Sequence, residues 1–184
     1  MEDNIIELKQ GEVLLRTNDE IKCLYLILSG ETDIYSRYGR ISTSAGSILG
    51  LSGSLYGLSL YNYVAKSDCI LRKFTVSGIS DLEKILREYP DMVPDIVILN
   101  EHFIMELIKL YLSMMIKCKR KDPSFTPDSR LNKWVLDKHN GIASIPEDIK
   151  KAYFGANISN SAGIIIENTE FINLLHEICL DMSE

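Results

Sequence analysis

The chain has 184 residues, 46% hydrophobic and 25% charged, with a formal net charge of −6. That length supports one well-buried core, or a core with a small appendage, and the composition excludes a disordered chain. The negative charge argues against a nucleic-acid partner, because such a protein must replace phosphate counterions with its own cations. The local exception is the basic run at residues 117–121, which reads as a helix end whose cations face the carbonyl end of the dipole. Cys23, Cys69, Cys118 and Cys179 are far apart and form no paired motif, so a reducing cytoplasm is the expected compartment. The acidic start lacks the order of a signal peptide. The richest apolar stretch, residues 92–116, is broken by Asp95, Glu101, His102, Glu106 and Lys109, so no membrane span is expected.

In chain order, the sequence to about residue 74 reads as strands. Val13-Leu14-Leu15 is a short apolar run, and Thr17-Asn18-Asp19-Glu20 is a turn cluster. Leu24-Tyr25-Leu26-Ile27-Leu28 is dense in strand formers and ends at Ser29-Gly30-Glu31. Thr32-Asp33-Ile34-Tyr35 alternates polar and apolar, Arg37-Tyr38-Gly39-Arg40 reads as a hairpin turn, and Ile41 begins the return. Gly46, Gly50, Gly53 and Gly57 follow at close spacing, after which residues 61–64 and 69–74 read as two more strands. Short strands with turn signals about every 8–12 residues predict an antiparallel roll, sandwich or barrel.

From Ser77 the period changes. Ser80-Asp81-Leu82-Glu83 has the form of a capping box, and Leu82, Ile85 and Leu86 make one face. After Pro90 a long helix is predicted over about residues 92–119. One stripe is Ile96, Leu99, Phe103, Leu107, Leu110 and Met114; a second is Val97, Ile104, Ile108, Tyr111 and Met115. A helix so widely apolar needs partners on two sides. The strand-rich part supplies one. The other is either the tail or a second copy of the helix, for which Leu99, Phe103, Leu107, Leu110 and Met114 are the candidate dimer residues. Residues 122–127 read as a linker, with Thr126 capping a helix that has Pro127 at its first position. Ser144-Ile145-Pro146-Glu147 is a second start signal, and a last helix covers roughly residues 161–182. The expected organisation is α+β: a β-roll with a long helix over residues 1–120, and a tail of three short helices over 121–184.

Gly11-Glu12-Val13-Leu14, the block from Cys23-Leu24-Tyr25-Leu26-Ile27-Leu28-Ser29-Gly30-Glu31 through Thr32-Asp33-Ile34-Tyr35, the glycine-flanked Gly46-Ser47-Ile48-Leu49-Gly50, and the strand at 68–74 stand in a telling order. With the helix, proline and long helix that follow, residues 11–119 resemble the cyclic-nucleotide-binding domain family, the sensor domain of catabolite-activator-type regulators and cyclic-nucleotide-dependent kinases. The resemblance implies a jelly-roll-like antiparallel β-roll with helices at its end. It also implies a pocket for a cyclic phosphodiester. There a short helix N-terminus and backbone N–H groups cradle the phosphate, an arginine neutralises it, and a glutamate after the cassette glycine accepts from the ribose 2′-hydroxyl.

This chain departs at both charged positions. Leu51 follows Gly50, and no arginine lies between Gly50 and Val64; Ser59 or Tyr61 stands there, and Lys66 is the first cation. Two lost contacts of about 1.5–3 kcal/mol each lower affinity by roughly 10²–10⁴. The implied ligand pocket is Gly50, Leu51, Ser52, Gly53, Ser54, Ser59 and Tyr61, with Gly57 beside them. Two readings stay open. The segment is an anion nest, or it makes the turns of a vestigial cassette filled by Leu49, Leu51, Leu55 and Leu58.

His102, His139 and His176 lack metal-ligand spacing, and no nucleophile, P-loop or zinc-protease motif appears, so no catalytic residue, metal or cofactor is expected. A helix-turn-helix was sought at residues 149–159, but the following residues 159–170 hold no Lys or Arg, and 121–184 hold six Lys/Arg against ten Asp/Glu. Trp134, Phe125, Tyr153 and Phe154 are expected to form a tail core. The functional expectation is a non-enzymatic regulatory module acting through a protein partner or as a homodimer. The alternatives are a nucleotide sensor with an altered site and a divergent transcription regulator.

Overall fold

The computed structural model describes residues 4–36, 39–54, 57–76, 81–126 and 129–181. Eight strands come first: β1 Ile5–Leu8, β2 Val13–Leu15, β3 Cys23–Ser29, β4 Glu31–Ser36, β5 Gly39–Ser44, β6 Ile48–Leu49, β7 Asn62–Ala65 and β8 Cys69–Thr75. They make two four-stranded sheets, ordered β1-β8-β3-β6 and β2-β7-β4-β5, with every pairing antiparallel. This is the expected β-roll. Five helices follow: α1 Leu82–Glu88, α2 Val93–Lys121, α3 Ser129–Ala143, α4 Glu147–Ala156 and α5 Ile158–Asp181. Among the described residues no helix is long and apolar enough to cross a membrane.

The continuous apolar run of β3 has a structural cause. Period 2 sends Ile27 into the roll interior with Ile34, Tyr63 and Leu71, while Leu24 and Leu26 point the other way, under α1 and the start of α2. Both faces of this strand are covered, so polar alternation is absent. In the second sheet the alternation survives. Ile34 faces inward, whereas Asp33 takes bonds from Ser42 Oγ (2.6 Å) and Tyr35 Oη (3.2 Å) on the other face. The β4–β5 register pairs Ser36 with Gly39, so the predicted hairpin turn falls where expected; Arg37 and Tyr38 lie outside the described residues. β1 and β6 escaped sequence reading. β1 is only half covered, and β6 has two residues, too few to show a period.

The 29-residue α2 is apolar on two sides because two things pack on it. Val93, Ile96 and Val97 join the cluster with α1 and Phe74. Ile104, Leu107, Ile108, Tyr111 and Met115 join the roll cluster, which also takes Val135 of α3 and Phe171, Ile172 and Leu175 of α5. Of the two occupants left open for the second side, the tail is the one in place. The stripe Leu99, Phe103, Leu107, Leu110 and Met114 lies against the roll and α5: a Cβ on Gly46 would touch Leu99, and one on Gly39 would press on Leu110. Both clusters thus draw on residues either side of position 120.

Four local expectations are corrected. The N-cap of α1 is Asp81, which makes no side-chain cap bond; Glu83 bonds Arg87 and Ser159 instead, and Ser80 is not among the described residues. At α4 the cap is Pro146, and Ser144 Oγ donates to Gly141 O rather than into the helix. The last helix is not short: α5 has 24 residues and begins at Ile158. The aromatic group divides, with Trp134 against Phe171 (ring centroids 4.4 Å), Phe125 on the roll cluster and Phe154 in the other. The side chain of Tyr153, and Pro127, lie outside the described residues. The basic run does end a helix, with Lys119, Arg120 and Lys121 in the last turn of α2.

Candidate functional site

The candidate pocket residues come together in the connection from β6 to β7. Gly50 has φ +89° and Gly53 φ +92°, the left-handed region that favours glycine, so the chain reverses tightly on itself just after β6. The described residues here form a turn, closed by Ser54 N–H to Leu51 O at 3.0 Å, and no helix end is presented. The hydroxyls are spent locally. Ser54 Oγ donates to Leu51 O (2.6 Å) and Ser59 Oγ to Tyr61 O (2.8 Å). Leu51 is buried in the cluster beneath α1, with Leu24, Leu26 and Leu82. Leu49 is buried too, but Leu58 is 45% exposed and fills nothing; Leu55 lies outside the described residues.

Tyr63 occupies the floor. The inward alternation of β7 puts its ring in the roll interior, and its hydroxyl bonds Ser52 and the Gly50 backbone. Complete burial pushes this phenol up to about 12. An unfolded tyrosine ionises near 10, so below pH 10 both states keep the proton and stability is at its full value. Between pH 10 and 12 only the unfolded state releases it. Stability therefore falls across that window, by on the order of a few kcal/mol. Urea unfolding at pH 8 to 11.5 should show this fall, and Tyr63→Phe should remove that component.

The walls above the floor come from the helices. Leu99, Asn100 and Phe103 of α2 and Ile172 of α5 close over Ile48, Leu49 and Ser52, leaving a cavity of ≈ 30 Å³. All its lining side chains are uncharged. Next to Ile172, Asn173 of α5 is 1% exposed, and its Oδ1 accepts the Gly53 N–H at 3.0 Å. Tyr61 stands edge-on to both Phe103 (6.1 Å) and His176 of α5 (5.5 Å). The cations noted from sequence are engaged elsewhere: Lys66 Nζ meets Glu31 at 2.5 Å and Arg72 meets Glu88 at 3.0 Å.

Sequence reasoning located the turn after β6 and the strand β7 but did not single out Tyr63, Ile172, Asn173 and His176 beside them. A signal for Tyr63 existed in the β7 alternation. For Asn173 the signal is weaker: Ser161, Asn168, Thr169 and Asn173 form a neutral polar series along α5, and all four are buried. The segment examined for a helix-turn-helix is α4 and α5, joined through Asn157. One face of α5 is buried against the roll and α2.

The architecture is an antiparallel β-roll with a glycine-rich turn after β6 and a long helix packed on it. Residues 5–86 match the family model of the cyclic nucleotide-binding domain. Among curated proteins none matches. Among solved structures, the regulatory subunit of a cAMP-independent protein kinase A from Trypanosoma brucei is similar at 25% identity, over 39% of this chain and 27% of that one, with a TM-score of 0.37. A cyclic nucleotide-binding-like protein from Brucella abortus is similar at 22% identity, over 39% of this chain and 66% of its own, TM-score 0.34. The sensor domain of the transcriptional regulator DNR from Pseudomonas aeruginosa shows 16% identity over 39% and 54%, TM-score 0.36. The match spans less than two thirds of each of these chains.

Proposed function

We propose that this chain is a non-enzymatic regulatory module whose cassette has lost cyclic-nucleotide binding and which works through protein contacts in a reducing compartment such as the cytoplasm. The observation that carries this is the ≈ 30 Å³ cavity with an uncharged lining. Small-molecule pockets hold about 300–1,000 Å³, and an anionic phosphodiester stripped of water needs a charged or richly hydrogen-bonding partner. Leu51 in the second core, and Asn173 on the Gly53 N–H, support the same reading. The free thiols of Cys23, Cys69 and Cys118 fit a reducing compartment. For a homodimer through the long helix, α2 offers Leu112 at 38% and Ile116 at 55% exposure beside the partly buried Leu99, Phe103, Leu110 and Met114.

The direct test is thermal unfolding with and without millimolar cyclic AMP or cyclic GMP. No shift in Tm is expected. A ligand present at about 100 times its Kd would add about 2.7 kcal/mol and move Tm by several degrees. Such a shift would refute the loss of binding.

A further inference from the structure

We propose that α5 is the cassette's own tethered ligand, and that its C-terminal half undocks and returns as a unit while the roll stays folded. This deepens, and rests on, the reading of the cassette as closed to nucleotides. The occupant is a carboxamide carried by a helix. Asn173 Oδ1 takes the buried Gly53 N–H at 3.0 Å, a contact spanning 120 positions of chain. Ile172 lines the cavity above Tyr63, and His176 packs edge-on to Tyr61.

The two halves of α5 belong to different cores. Ala162 and Ile165 pack with Leu82, Leu86 and Val97, and Ser159 ties the helix start to α1 by donating to Glu83 Oε1 at 2.9 Å. Phe171, Ile172 and Leu175 pack with the roll instead. Between the two sets lie Asn168, which donates to Asn100 Oδ1 at 2.8 Å, and Thr169, which bonds back to Ile165 O at 2.8 Å. A seam of neutral polar groups gives a helix less reason to stay docked than an apolar face does, since water satisfies those groups equally well on release. Asn173 Nδ2 is buried without a hydrogen-bond partner among the described residues, which further weakens the docked state. Pivoting at the Asn168–Thr169 seam would uncover Phe171, Ile172 and Leu175 on the helix and Tyr61 on the roll. That supplies an apolar surface for a protein partner only in the released state.

The test is residue-resolved amide hydrogen exchange on the full chain. In the wild type, Gly53 should exchange through a sub-global opening with a smaller denaturant dependence than Leu26 of β3 or Leu71 of β8. In Asn173→Ala, Gly53 exchange should rise about tenfold, about the factor of one lost hydrogen bond, and should keep a smaller denaturant dependence than Leu26 or Leu71. The proposal is overturned if Gly53 exchanges with the same denaturant dependence as Leu26 and Leu71, or if the Ala variant leaves Gly53 exchange untouched. The wild-type comparison stands even if the variant fails to fold. Adding cyclic AMP to Asn173→Ala separates the two claims. Renewed protection of Gly53 by the nucleotide would keep the tethered helix and refute the loss of nucleotide binding.

Discussion

Lys150→Met should lower stability by about 3–5 kcal/mol, the usual cost of leaving one half of a buried ion pair without its counter-charge. Lys150 Nζ lies 2.5 Å from Glu101 Oε2 and 2.6 Å from Ile142 O, and the two side chains are only 6% and 10% exposed. The ammonium thus joins α2, α3 and α4 at one point. Removing it strands a carboxylate under the tail, where water cannot easily reach. For a chain of this size, the loss corresponds to a fall in Tm of roughly 6–20 °C. The paired replacement Glu101→Leu with Lys150→Met removes both charges, and should recover most of the loss. Urea unfolding of the three variants decides it. A single-variant loss under about 1 kcal/mol would mean the pair is screened like a surface bridge.

Gly53→Ala should cost about 2–6 kcal/mol, combining backbone strain of about 1–3 with overpacking of about 1–3. The residue has φ +92°, and a Cβ built on it lands on the carbonyl oxygen of Leu58, which is backbone and cannot rotate away. The same turn aims the Gly53 N–H at Asn173, so the substitution strikes the cassette and the helix docked on it together. Gly57→Ala is the control. It has φ +71° but nothing within 4 Å of the added Cβ, so only the left-handed backbone penalty of about 1–2 kcal/mol applies. Equal losses in the two variants, read by urea unfolding, would show that the contact with Leu58 relaxes freely.

Both substitutions act where distant parts of the chain meet, and this is where reading the residues in order has least to offer. In sequence Glu101 is a break in an apolar stretch, and Lys150 is one of the six cations of residues 121–184. Their pairing is invisible until α4 lies on α2, 49 positions away. The same holds for the long helix. Its two stripes correctly required two partners, but the spacing of Leu99, Phe103, Leu107, Leu110 and Met114 is the same whether the second surface is a tail or another copy.

The sequence by itself determined the elements whose signals are local. β3 was legible from its strand-forming run, β4 and β5 from alternation around a turn, and β8 from its apolar block. α1 and α2 showed in the change of period, and the turn after Gly50 in its glycines. It also displayed the absence of charge at the cassette, because Leu51 and the lack of arginine up to Val64 are facts of composition. Tertiary structure alone decided which side chains stand around that turn. They are Tyr63 from below and Ile172 with Asn173 from above. The physical reason is that a buried N–H such as that of Gly53 must find an acceptor, but any carbonyl or carboxamide that the fold brings near will satisfy it. The need is written in the turn; the partner is chosen by how α5 packs across the roll.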